Sequence, residues 1–469
     1  MVYLIGILIS LSAGFLLIRL LTAGRLNLIL HILLALALGL GIDGVAAFYT
    51  HILFNQFNRW IPIGIVVLGI ISCVVSLRAR RAKQSLKNEI ASWSHADHYR
   101  WSSLRNAPRN DTIIKHAWGL LTLGVLAIPL TISAYHYPLG GWDAWSCWNL
   151  KAKFIFLGGQ DWKNMFLPGL WRSNTHYPLL WPLINVWFWD LGGQFNQAVP
   201  MFNSILFALL TAGILLFGLL ELTGVLSVAI AAAVIVTALP LGVMLNISQY
   251  SDGLLGLFLL SAFMCLLLAE KHNNPKLKIL SMIFLGLICF TKDEGMIIAV
   301  IAACLVLWQT YSHLRHSEPE GRRISNLILA FILAASPMII FSAALAPHNE
   351  AFINGLTSME KPANWTRLSI ILVYPWFEAI SGKWNGLWFL VVSGVLLAGK
   401  KLWQKTLGVI GISLALYLGV VMAYYGINTF FEIGWWLENT LSRVLFVLVP
   451  TIALWIGLGL YNSLPLVQP

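Results

Sequence analysis

Gly253-Leu254-Leu255-Gly256-Leu257-Phe258-Leu259-Leu260-Ser261-Ala262-Phe263-Met264-Cys265-Leu266-Leu267-Leu268-Ala269 runs without a charge until Glu270 and Lys271. The run is too long for a buried strand and apolar on every side, which a helix facing water on one side never is. At about 1.5 Å per residue, a helix of this length approaches the thickness of a bilayer's hydrocarbon core. Comparable runs recur along the chain near 3–22, 28–48, 60–77, 115–136, 196–220, 224–245, 276–291, 295–311, 324–346, 384–399, 406–425 and 444–461. Together they give about thirteen candidate spans of roughly 17–25 residues. Composition agrees. Of 469 residues, 58% are hydrophobic and only 10% charged, where a soluble domain carries about 25%. A soluble enzyme, a nucleic-acid binder and a disordered scaffold are thereby excluded. The expected fold class is all-α, a polytopic integral membrane protein. Its net charge of +11 comes from short basic clusters between apolar runs rather than from one stripe.

Those clusters orient the chain, because short basic loops stay cytoplasmic. Arg78, Arg80, Arg81, Lys83 and Lys87 follow the third span. Lys271, Lys276 and Lys278 follow the seventh, Arg315, Arg322 and Arg323 the ninth, and Lys400, Lys401 and Lys405 the eleventh. One topology satisfies all four, with the N-terminus outside and the C-terminus inside. It forbids a full crossing by Pro178–Leu191, so this tryptophan-rich segment is expected in the outer interface or as a re-entrant helix. The start of the chain lacks a basic n-region and reads as a retained span. The five cysteines form no disulfide framework.

The outer face then holds the chemically rich segments. Gly141-Trp142-Asp143-Ala144-Trp145-Ser146-Cys147-Trp148-Asn149-Leu150-Lys151 opens the first of them. Read as a helix, it sets Trp145, Trp148, Ala152, Ile155 and Phe156 on one apolar face. Asp143 falls opposite, with Cys147 and Lys151 nearer to it. Such a helix lies flat on a membrane. On local chemistry alone, Asp143 also reads as a plain N-cap. Arg172 and His176 precede Pro178 and suit either an anion or interfacial anchoring. Asp252 opens the seventh span, where an N-cap is again the plain alternative. Thr291-Lys292-Asp293-Glu294-Gly295 packs three charges between two apolar runs, a placement that is costly and often functional. Arg443 opens the last span ahead of Pro450, suited to snorkelling or to holding a phosphate. No P-loop, His-Glu-x-x-His or Cys-x-x-Cys pattern occurs.

Taken in order, these segments resemble the GT-C glycosyltransferases, in particular the protein O-mannosyltransferase and aminoarabinose transferase branch. The matching pieces are Gly141-Trp142-Asp143-Ala144-Trp145, His176-Tyr177-Pro178, Asp252, Thr291-Lys292, and Arg443 with Pro450. Ala144 departs from the second acidic residue often found beside the Asp. The resemblance divides the chain into three parts. Residues 1–114 are a three-span extension with a basic loop. Residues 115–311 are the GT-C core with its catalytic outer loop at 137–195. Residues 312–469 are C-terminal spans with outer loops at 347–368 and 426–443.

The resemblance implies a polyprenyl-phosphate sugar donor, an acceptor hydroxyl on a glycan, lipid or protein, and inverting single displacement at the outer face of a bacterial inner membrane. Asp143 is then the candidate base, with Asp252 as a second catalytic carboxylate. Lys292, Arg443, Arg172 and His176 are the phosphate candidates, and Lys151, Asp293 and Glu294 are further site candidates. No cofactor is expected. The carboxylates have the hard oxygens a divalent metal needs, but the basic residues suit the same task. A lipid-linked glycan ligase or polymerase, and a non-enzymatic flippase, are the competing readings.

Overall fold

The computed structural model describes residues 2–22, 26–55, 64, 109–314, 320–357 and 365–463. Every regular element within them is helical. The first two long helices are α1 (Val2–Thr22) and α2 (Leu28–Phe54), followed by α3 (Arg109–His136) and the short α4 (Asn149–Leu157) and α5 (Leu180–Gly192). Next come α6 (Ala198–Thr223), α7 (Leu226–Ala238), α8 (Pro240–Ile247), α9 (Ser251–Lys271), α10 (Lys276–Cys289) and α11 (Asp293–Leu314). The chain closes with α12 (Glu320–Ala344), α13 (Glu350–Thr357), α14 (Trp365–Ile380), α15 (Leu387–Ala398), α16 (Lys405–Ile427) and α17 (Ile433–Ser463). Nine of the described helices are long and apolar enough to cross a membrane. The chain is an all-helical, polytopic membrane protein.

The span reading needs correction at three places. The run 224–245 is broken into α7 and α8, bent by 65°, because Pro240 cannot continue the preceding helix. The runs 276–291 and 384–399 become helices of only 14 and 12 residues. These are about 21 and 18 Å long, against a core of about 30 Å. The expected span 60–77, apart from Gly64, and the basic cluster from Arg78 to Lys87 lie outside the described residues.

The leucine-rich run that fixed the fold class is the centre of the bundle. All but the last residues of α9 and its Gly253 are buried, and it packs against α6, α10 and α17. The two described helices of the N-terminal region join this body. Ser10 and Gly14 of α1 meet Ala35 and Gly39 of α2 so closely that a Cβ on Gly39 would stand 1.7 Å from the Ser10 carbonyl oxygen. Small residues at a spacing of four permit that approach. Beside the seam, the Ser10 hydroxyl donates to the buried carboxylate of Asp43.

The tryptophan-rich α5 departs from the interfacial of its two expected placements. Leu180 to Trp189 are all buried, covered by α1, α2, α4 and α6 rather than lying along a surface. Its amides join a buried polar chain. Gln249 accepts from Asn149 at 2.8 Å, Asn149 accepts from Trp181 and Asn185, Asn185 accepts from Asn203, and Asn203 accepts from the Tyr3 hydroxyl. Paired this way, buried amides avoid the cost of unmet donors and acceptors.

Candidate functional site

Four separate segments bring charge to one end of the bundle. Asp252 stands in the first turn of α9, Lys292 in the turn between α10 and α11, Glu294 in the first turn of α11, Arg443 on α17, and Asp143 just ahead of the helical turn that follows α3. Arg443 is the hub. Its Nε and Nη2 donate to Oδ2 of Asp252 at 3.0 and 2.7 Å, and its Nη1 donates to Oδ2 of Asp143 at 2.5 Å. Lys292 donates to the other oxygen of Asp252 at 3.0 Å and lies 3.3 Å from Glu294. Asp252 is therefore shared by both cations at 1% exposure. The Lys292 ammonium thus sits against two carboxylates, those of Asp252 and Glu294.

Neither aspartate is merely a helix cap. Asp143 precedes a π-helical turn, Ala144–Trp148, with helical backbone angles and no side-chain capping bond. No capping bond is made by the residue before α9 either, and both Asp252 oxygens are taken by Lys292 and Arg443. Local backbone makes these contacts possible. Gly140 adopts φ +71°, and a Cβ on Gly141 would lie 2.3 Å from the Tyr250 hydroxyl. The Gly141 amide donates to the Ser248 carbonyl at 3.0 Å, and the Asp143 amide reaches the Tyr250 hydroxyl at 3.4 Å. The glycine pair thus lays the loop directly on the 248–250 turn and aims Asp143 at Arg443.

The structure brings Asp143, Asp252, Lys292, Glu294 and Arg443 together and separates the others. His176 sits on the flank, its Nε2 3.7 Å from Asp293. Burial, with the nearby Lys151 ammonium, pushes its pKa down to about 4, which disfavours the charged imidazolium. Arg172 is exposed and stacks over its neighbour Trp171 at 5.3 Å, with no contact to the carboxylates. Lys151 was expected near the polar face but is 1% exposed, as is Cys147. It donates to the carbonyls of Asn174 and Tyr177 at 2.6 and 3.1 Å, beside the stacked rings of Trp148 and Tyr177. Burial lowers its pKa. Its position makes it a clamp on the segment that carries His176.

One participant escaped the sequence reading. The ring of Tyr250 supports the Arg443 guanidinium at 4.5 Å, a cation–π contact worth about 0.5–2 kcal/mol by its degree of desolvation. A tyrosine beside an aspartate at a helix start is too common a pattern to announce this role. Among the described residues no group of three His, Cys, Asp or Glu side chains is arranged to hold a metal ion. No known family, curated protein or solved structure matches the chain.

Proposed function

We propose that this chain is a membrane glycosyltransferase that moves a sugar from a polyprenyl-phosphate carrier to an acceptor hydroxyl by single displacement with inversion. The observation that carries this reading is the paired arrangement of Arg443 and Lys292 on one buried Asp252, with the partly open Asp143 beside them. The acceptor oxygen bonds to the anomeric carbon as the bond from that carbon to the phosphate oxygen breaks. The acceptor proton passes to the carboxylate of Asp143, the general base. The leaving phosphate departs as a monoester with one more negative charge than the diester, and fixed cations stabilise that increase. Asp252 orients both cations. Glycoside hydrolysis would need a second carboxyl group as acid; here the leaving group needs no proton.

We place the site on the outer face of a bacterial inner membrane, because Lys271, Lys276 and Lys278 cluster at the opposite ends of α9 and α10. The short α10 supports a recessed site. It covers about 21 Å from Lys276 to Cys289, which leaves Lys292 several ångströms below the far side of a core about 30 Å thick. There a lipid-borne phosphate can reach it. Neither a nucleotide nor a cofactor enters this scheme. Transfer of label from a radiolabelled polyprenyl-phosphate sugar to an added acceptor tests it. Asp143→Asn should cut turnover by about 10²–10⁴-fold while leaving folding intact. Movement of intact labelled lipid across the bilayer without transfer would favour a flippase instead.

A further inference from the structure

The ion pairs of the site fall into two kinds. Asp252 is 1% exposed and holds both cations. Asp143 and Glu294 are 26% and 29% exposed, and each holds one cation from the open side. Counted by charge, the network has two cations and three carboxylates, so it carries one negative charge too many. Glu294 shows the strain of this arrangement, since its Oε2 is buried with no hydrogen-bond partner. An unmet buried acceptor is costly, and ion pairs open to solvent return little. The buried fork on Asp252 is of the stronger, two-point kind, and Tyr250 holds the guanidinium from its face.

We propose that Asp143 and Glu294 are placeholders for the donor's anion. A phosphate diester entering from the open side takes their positions on Nη1 of Arg443 and Nζ of Lys292. Two cations then face one carboxylate and one phosphate, and the two displaced carboxylates turn toward the open side, where solvent screens their charge. Asp143, its backbone still pinned by Tyr250 and its loop by Ser248, rotates about its side-chain torsions. The carboxylate leaves Arg443 and is released to accept the acceptor's proton. The base is thus freed only when the donor is seated, which makes binding ordered, donor before acceptor. This rests on the donor class proposed above.

The test is binding of a sugar-free polyprenyl monophosphate to the purified full-length protein in detergent, with inorganic phosphate as a second probe. Asp143→Asn and Glu294→Gln keep shape and remove the competing charge. Each should tighten lipid-phosphate binding about 5-fold, the scale of a partly exposed ion pair. Arg443→Gln should weaken it more than 10-fold. Thermal melting of each variant confirms that it is folded. If wild type binds the lipid phosphate and both neutral variants bind it no better, the exchange is wrong while the donor class stands. If wild type does not bind it at all, the donor class fails and the exchange with it. Inorganic phosphate binding as tightly as the lipid would overturn a lipid source for the anion.

Discussion

His176 shows how burial decides what a residue is able to do. Its imidazole lies beside Tyr177, with ring centroids 4.7 Å apart, and burial lowers its pKa from 6.5 to about 4. Above pH 6.5 neither the folded nor the unfolded chain protonates it. Between 6.5 and about 4 the unfolded chain takes a proton that the folded one refuses, so stability falls as pH falls. Melting curves at pH 7.5 and pH 5 should therefore show a smaller drop for His176→Gln than for wild type. Equal drops would mean the ring is not held neutral. Charged residues at the edge of apolar runs were easy to single out, because lone ions in such places are expensive. Lys292 stood out for that reason, while Asp252 and Arg443 read locally as a cap and a snorkelling residue and stood out through the resemblance. Arg172 and His176 were read by type alone, and type does not reveal that one is exposed and the other largely buried. Tyr250, Asn149 and Gln249 carried no signal, since their partners come from segments far away in the chain.

At the scale of elements, hydropathy located the long helices and misjudged the short ones. An apolar run shows where a helix is favoured, but not where the chain turns within it. α10 stops at Cys289 because Phe290 and Thr291 form the turn that presents Lys292. The break at Pro240 was visible as a proline, though its 65° bend was not. The α1–α2 seam was also hidden, since small residues spaced by four recur by chance in any alanine- and glycine-rich run. There the backbone contact is specific. Gly39→Val must push the helices apart at the Ser10 carbonyl, and with them the Asp43–Ser10 bond. The expected cost is at least the ~1–3 kcal/mol of ordinary overpacking. Gly124→Val in α3 is the control, because a Cβ there meets nothing within 4 Å. A thermal-shift comparison in detergent measures both. Equal melting of the two variants would show that the seam tolerates separation.

Across the whole molecule, the charges divide into two populations with different partners. At one end, Asp143, Asp252, Lys292, Glu294 and Arg443 pair with one another in a half-closed cluster that keeps one carboxylate in excess. At the other end of α9 and α10, Lys271 donates to the Leu222 carbonyl at 3.3 Å, and Lys278 to the Thr310 hydroxyl at 3.2 Å. Neither of those two bonds is to a carboxylate, and an excess of basic residues is the property that retains a loop in the cytoplasm. The site's own charges nearly cancel and so have little influence on orientation. The two ends of the same helices thus predict opposite access. Asp161 and Lys276 are both exposed, Asp161 in the loop region that carries Asp143 and Lys276 at the basic end. Single cysteines at these positions, in a background without native cysteines, should report the sides directly. In intact cells, an impermeant maleimide should label position 161 and spare position 276, which should react only after permeabilisation. The reverse pattern would invert the chain, put the site on the cytoplasmic side, and require the sugar donor to be presented there.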